Sequence, residues 1–398
     1  MLAWQVLRAT MQATWGIGLA RVVGPEQYGL FAGFAGLAST LGALTGVGFG
    51  LLMLQNASRQ PERFANYWNA ALAAAGVSAA LLATTYFCLA SIFTGEKVSL
   101  FFLVAVGIPE LVCLPLIVIC SYAFQANERM GWAGALYAIA PLGNLLALVA
   151  FLALDDNQTI SAYLPWHMGI SLTATMLSLA VVYLLISPRK KMPELNTEDR
   201  NSAPSFAAMQ MADTALASLD KTLVLRIAGS EFAGQYTAAY RLATVVALPV
   251  VSLALSVTPR LFRRRHGTAA EDRLERKQLF GVATGIGFVT VPLMWILSFM
   301  LPWLLGTQFE PAAALSRQLL LLPALLGLSA LGCSVLMTDG QRGTRVMVQT
   351  GAVAGLLLLI PWLIENHHSN GAAWAVQIVY AALVVAIWWI IRRERGLR

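Results

Sequence analysis

Charge is scarce in this chain, and that scarcity excludes most soluble folds. Only 12% of the 398 residues are Asp, Glu, Lys or Arg, against roughly a quarter in an ordinary soluble domain. With 58% of residues hydrophobic, no water-soluble fold hides so much apolar surface. Cysteine is scarce too: Cys88, Cys113, Cys120 and Cys333 all fall inside apolar runs, with neither CxxC nor metal-ligand spacing. That leaves small apolar packing as their role. Four histidines (His167, His266, His367 and His368) show no HExxH or other ligand pattern, and there is no Walker-type phosphate loop. No metal, cofactor or built-in ATP hydrolysis is therefore expected. The net charge is +7, but the bases lie in short loops and not along one aromatic-interleaved face, so nucleic acid is not an expected partner.

What the sequence has instead is a succession of apolar stretches of about 17 to 25 residues, the length a helix needs to cross roughly 30 Å of hydrocarbon. They fall near 3–21, 28–54, 67–93, 99–124, 132–154 and 163–186, then near 206–227, 232–258, 279–305, 313–337, 345–364 and 371–391. The run 28–54 is apolar and Gly/Ala-rich on every face, unlike the alternating segments of a membrane β-barrel. The expected fold is all-α: a polytopic membrane protein of about twelve transmembrane helices. Arg8 and Gln12 interrupt the first stretch and the next follows at once, so the N-terminus reads as a retained span and not as a cleavable signal peptide.

An even number of spans puts both ends on one side. If that side is the cytoplasm, the inward loops hold Arg59, Arg63, Arg129, the clusters 189–191, 260–265 and 273–277, Arg342 and Arg345, and the tail adds Arg392, Arg393, Arg395 and Arg398. The outward loops hold only Lys97, with Arg21 and Arg226 at span ends. The asymmetry satisfies the positive-inside rule and suits a bacterial inner membrane with cytoplasmic termini. Residues 188–205, with Pro188, Pro193, Pro204 and mixed charges, read as a cytoplasmic linker between a six-helix bundle over 1–187 and another over 206–398.

Shifting the sequence by 205 residues lays Arg21, Gly24, Glu26 and Gly29 over Arg226, Gly229, Glu231 and Gly234, and Leu37-Ala38 over Leu242-Ala243. Six spans per half give both halves one orientation, hence two parallel six-helix repeats, an arrangement that usually flanks a central cavity.

The repeated segments also resemble a known family. Ala20-Arg-Val-Val-Gly-Pro-Glu-Gln-Tyr-Gly29 closes the first span; Asp220-Lys-Thr-Leu-Val-Leu-Arg-Ile-Ala-Gly229, continued by Gly234-Gln-Tyr-Thr-Ala-Ala-Tyr-Arg-Leu-Ala243, lies at the seventh and eighth. Both look like the Wzx-type O-antigen and exopolysaccharide flippases of the multidrug/oligosaccharidyl-lipid/polysaccharide (MOP) superfamily. The likeness covers the whole chain in span count and loop length. It implies a two-bundle, alternating-access fold and an undecaprenyl-diphosphate-linked oligosaccharide as cargo. It also implies a place in an export pathway beside glycan polymerase or export machinery. Met1 stands almost at the start of the first span, where members of that family usually have a cytoplasmic lead-in.

A lipid-linked sugar presents a diphosphate, hydroxyls and a prenyl tail, so the informative residues are charges inside spans, each costing about 2.5–3.5 kcal/mol to insert and normally facing water or a partner. The cations are Arg8 in the first span, Lys221 in the seventh, Arg241 in the eighth and Arg317 in the tenth, with Arg21 and Arg226 at the outer mouth. Guanidinium binds phosphate oxygens in bidentate fashion. Arg241 lies nine residues past Phe232, about 13 Å along the helix axis. Arg21, Arg226 and Arg317 are equally able to snorkel to headgroups. Asp220 and Lys221 are adjacent on a helix and are expected to point apart. The acids Glu110, Asp213 and Asp220 are candidates for coupling to H⁺ or Na⁺, or for ion pairs with the cations. The 205-residue shift lays Asp213 over Arg8, so these two occupy equivalent positions in their halves and could pair across the cavity. Prolines 109, 115, 141, 249, 292 and 323 and glycines 42, 46, 48 and 50 read mainly as packing features, with hinges as the alternative.

Two rival functions stand beside flipping. A cation-coupled multidrug exporter of the same superfamily would favour acids in its cavity, whereas the cations here slightly outnumber the acids. A membrane-embedded glycan polymerase or ligase would carry a large outward loop, and all the outward loops are short.

Overall fold

The computed structural model describes residues 2–93, 98–188, 196–263, 269–367 and 369–393. Part of the linker expected at 188–205 lies outside them, as do Lys97, Arg264, Arg265, His266, His368, Arg395 and Arg398. Fifteen α-helices and no strand occur among the described residues, and the chain forms two compact units, Met1–Thr222 and Leu223–Arg398.

The first unit begins with α1 (Leu2–Gly42), which turns at Gly24 (φ 77°, ψ 171°) directly before Pro25. Only glycine enters that region without strain, so α1 is two segments joined by a sharp corner. A six-residue break separates it from α2 (Phe49–Ala57). Then come α3 (Phe64–Phe93), α4 (Leu100–Ile108), one π-helical turn (Pro109–Cys113), α5 (Leu114–Ala126), α6 (Met130–Leu154) and α7 (Ile160–Leu185). Helix α8 (Thr197–Ala228) starts inside the stretch read as linker, so the connection is partly helical; it crosses the boundary between the units. The second unit continues with α9 (Ser230–Arg263), α10 (Ala269–Ser298), the short α11 (Leu301–Leu305), α12 (Glu310–Gln318), α13 (Leu322–Thr338), α14 (Arg342–His367) and α15 (Ser369–Arg393).

The chain is an all-α, multi-pass membrane protein. Among the described residues, eight helical segments are long and apolar enough to cross a bilayer, and nine if Thr307–Gln318 and Leu322–Thr338, bent by 56°, form one span. The other three of the twelve expected stretches are helical as well: the two segments of α1, the second prolonged by α2, and α8. These three hold Arg8, the glycine break, or Asp213, Asp220 and Lys221, which dilute their hydropathy. Large apolar side chains such as Leu184 and Phe288 are about three-quarters exposed, as a lipid-facing surface requires and a water-facing one does not tolerate at this scale.

The repeat is visible in the backbone. Gly229, the partner of Gly24 in the 205-residue shift, also has positive φ, at 85°, and also separates two helices. Each unit therefore carries a positive-φ glycine at a helix junction where sequence self-similarity is strongest.

The fourth stretch is interrupted by chemistry that the prolines dictate. In a regular helix the Leu111 carbonyl would accept from the N–H of residue 115, but Pro115 has none. The Thr45 hydroxyl donates to that carbonyl instead, at 2.8 Å. Thr45 can reach it because the chain unwinds between α1 and α2, with positive φ at Gly46, Val47 and Gly48. The glycine cluster of the second stretch thus breaks its helix as well as packing it.

Candidate functional site

The charged residues singled out from the sequence are divided between the two units, and each unit holds its own set. In the first unit, small residues let α8 lie close against the second segment of α1. A Cβ on Gly36 would stand 2.5 Å from the Ser218 carbonyl oxygen, and the Thr222 hydroxyl donates to the Gly33 carbonyl at 2.7 Å. This packing buries Asp220 completely and Lys221 almost so. The two do not point apart: Lys221 Nζ lies 2.8 Å from Asp220 Oδ1 and donates to the Ala217 carbonyl at 2.6 Å. The four-carbon lysine stem folds back along its own helix and overcomes the angular separation of neighbouring residues. Lys221 is thereby neutralised where it stands, which favours a structural pair over a free phosphate ligand.

Arg8 and Asp213 are linked through tyrosines. The exposed Arg8 guanidinium lies 5.8 Å from the Tyr137 ring centroid, within range of a cation–π contact. Tyr137 and Tyr122 cross edge to face, with ring centroids 6.4 Å apart. Asp213 lies within electrostatic reach of Tyr122. Both residues belong to the first unit, so each is joined to that unit's tyrosine network. No sequence pattern singled out the tyrosines, which sit on two different helices 15 residues apart.

Glu110 stands in the π-helical turn and lines a cavity of about 40 Å³ that also takes in Asn144, His167 and Ser171. His167, unremarkable in sequence, is 2% exposed. Its Nδ1 is 3.3 Å from the Tyr163 hydroxyl, which accepts from Trp15 Nε1 at 2.8 Å. Trp15 and Tyr163 stack on the imidazole and Phe31 meets it edge-on. The Nε2 atom is buried with no hydrogen-bond partner. The one sequence signal that could have found this cluster is the spacing of Tyr163 and His167, one helical turn apart.

In the second unit Arg241 is half-buried on α9, with its Nη1 closed off from solvent. The N-terminal end of α9 is fixed by Gln235, whose side chain donates to the Gln308 carbonyl and accepts from the Ala312 N–H. Arg317 is exposed, stacked 5.0 Å over the Phe299 ring, with its Nε donating to the Ala313 carbonyl. That placement supports the interfacial alternative for Arg317. Arg21 and Arg226 are exposed near the Gly24 and Gly229 corners. No group of three or more His, Cys, Asp or Glu able to hold a metal occurs among the described residues.

Comparison with known proteins agrees with this architecture. The sequence model of a family described as "Polysaccharide biosynthesis protein" matches residues 1–264. Among solved structures, the inward-facing conformation of a multidrug resistance MATE family transporter of the MOP superfamily is similar at a TM-score of 0.73 and 14% identity, over 98% of this chain and 95% of that one. The MATE multidrug transporter DinF-BH, solved as a complex, is similar at 0.70 and 15%, over 98% and 93%. A MOP superfamily transporter from Pyrococcus furiosus Vc1, described as having a binding pocket of reverse polarity that suggests a different function, is similar at 0.63 and 14%, over 98% and 92%. No curated protein matches the chain. At these identities the structures establish the fold alone: it is that of the MOP-superfamily transporters.

Proposed function

The chain belongs to the polysaccharide biosynthesis protein family, and on that premise we propose that it is a flippase. Its cargo would be an undecaprenyl-diphosphate-linked oligosaccharide, carried across a bacterial inner membrane for O-antigen or exopolysaccharide export by alternating access. The bundles over 1–187 and 206–398, joined through 188–205, are the moving halves, and both termini lie in the cytoplasm, as the distribution of basic residues favours. Glycan polymerase or other export machinery would receive the product.

The observation that carries this reading, beyond family membership, is the half-buried guanidinium of Arg241 on a long apolar helix. A charge at such depth normally faces a water-filled cavity or a partner, and a diphosphate is an anion that arginine binds in bidentate fashion. Arg8, with its tyrosine backing, is the second cation of the route; Arg21 and Arg226 act at the mouth. Lys221 and Arg317, engaged by Asp220 and Phe299, contribute through structure. Glu110, Asp213 and Asp220 are the candidates for coupling to H⁺ or Na⁺.

The multidrug-exporter reading draws on the likeness to MATE transporters, among them DinF-BH, which is described as a multidrug transporter. The reversed pocket polarity described for the Pyrococcus furiosus protein argues that cargo does not follow from this fold. One experiment separates the two. Cells lacking the gene should accumulate lipid-linked glycan on the cytoplasmic leaflet, and Arg241→Ala should fail to relieve that accumulation although normally folded and inserted. Full relief by Arg241→Ala removes Arg241 from the route; no accumulation, in a strain without a redundant transporter, rejects the flippase.

A further inference from the structure

We infer that the left-handed turn Gly46-Val47-Gly48, which breaks the second stretch, is a strained joint that rewinds into helix when the transporter changes the side to which it opens. The inference rests on the alternating-access reading, since it names the element that switches within the first unit.

The strain is local. Three consecutive residues have positive φ: 81° at Gly46, 48° at Val47 and 78° at Gly48. Glycine enters that region freely, but a β-branched residue there is an outlier. Such residues persist only where their surroundings over-determine them, and they gather at active sites and switching segments. The chain on either side is already helical, since α1 runs to Gly42 and α2 starts at Phe49. Of the six residues between, only Thr45 is polar. A right-handed backbone at Val47 and its neighbours removes the strain and joins the two helices into one.

Three contacts hold the turn against that relaxation, each from a different element. The Gly46 N–H donates to the Ser78 hydroxyl of α3 at 2.9 Å. The Thr45 hydroxyl donates to the Leu111 carbonyl of the π-helical turn at 2.8 Å. At Gly48 the backbone of α8 lies so close that a Cβ would collide with the Ala203 carbonyl oxygen. In a continuous helix the Gly46 N–H would donate to the Gly42 carbonyl, which now accepts from the Thr45 N–H at 2.9 Å, and Ser78 would be given up. Rewinding also reorients Thr45 and so withdraws the donor that the Leu111 carbonyl has in place of Pro115. Gly42 packs directly on the Glu110 carbonyl, so the breaks in the second and fourth stretches touch. The joint therefore links the winding of one span to the π-helical turn of the other, a form of helix that recurs at functional sites.

The test needs no transported substrate. Spin labels are placed at Glu26→Cys and Ser58→Cys, exposed positions on either side of the turn, with the exposed Cys88 replaced by Ser. Pulsed EPR on the full chain in lipid nanodiscs then reads the distance along the span. A continuous helix sets residues 26 and 58 about 48 Å apart. Gly46→Ala disfavours the left-handed turn and Thr45→Val removes one of its ties, so both should populate that distance. Val47→Gly relieves the strain and weakens the helix, and should lower the ratio of continuous to broken span by roughly five- to a hundredfold. A single distribution in folded protein that neither Gly46→Ala nor Thr45→Val displaces toward that length overturns the inference. A rise of the continuous form in Val47→Gly overturns it too. If the populations respond as expected while lipid-linked glycan is not moved, the joint stands and the flippase reading falls.

Discussion

The pairing of Asp220 with Lys221 makes the most exacting prediction. Both side chains are closed to water, at 0% and 11% exposure, and 2.8 Å apart. Replacing Lys221 by Met removes the ammonium from beside the buried Asp220 carboxylate and also loses the bond to the Ala217 carbonyl. Breaking a buried pair in this way costs about 3–5 kcal/mol, or roughly two to four decades in the unfolding constant. Asp220→Leu strands the ammonium at similar cost. The double variant Asp220→Leu/Lys221→Met removes both charges and keeps the volume, so it should lie within about 1–2 kcal/mol of the parent. The coupling energy of this cycle is therefore several kcal/mol. Equilibrium unfolding in mixed detergent and SDS, followed by tryptophan fluorescence, measures it. Transport by the double variant, scored as relief of lipid-linked glycan accumulation, should persist. Additive losses in the double variant, or single losses below about 1 kcal/mol, would show that Lys221 faces water and belongs to the cargo route.

Other substitutions probe the elements that position these groups. Thr45→Val leaves the Leu111 carbonyl without its 2.8 Å donor and should cost about 1–3 kcal/mol in the same unfolding assay. Gly24→Ala forces a Cβ into a glycine-only backbone region (φ 77°, ψ 171°), for about 1–3 kcal/mol, read as lower thermal stability in nanodiscs. Gly36→Val drives a branched side chain onto the backbone of α8 at Ser218; loss of folded yield or of export is expected, whereas Gly76→Ala, with open space around it, should leave both unchanged. Arg317→Leu keeps contact with Phe299 and should retain most export activity, unlike Arg241→Ala.

The fold class was legible because crossing a bilayer requires long apolar helices, and the twelve stretches from 3–21 to 371–391 are each mainly helical, the second broken at 43–48. The corner glycines were legible as a repeat. Their common conformation was not, since φ at Gly24 and Gly229 is set by the turn each must make. The candidate site was less accessible. Helical spacing suggested that Asp220 and Lys221 diverge, and a flexible lysine stem overrode it. Arg8 and Asp213 were related by repeat symmetry, yet each is tied to Tyr122 and Tyr137 of one unit, a relation between α1, α5, α6 and α8 that no local pattern encodes. His167 stood out from nothing around it because Trp15 and Phe31, which pack on its ring, lie 152 and 136 positions away in sequence.

The π-helical turn at Pro109–Cys113 has a consequence for the span that contains it. Such a turn adds one residue to an otherwise regular helix, so α4 and α5 are out of phase by about 100°. A helical wheel drawn through both misassigns the faces of one half. Shortening the turn by a single residue would realign them and swing Glu110 off the face it now occupies, so chain length at this one place sets which side of the span its acid serves.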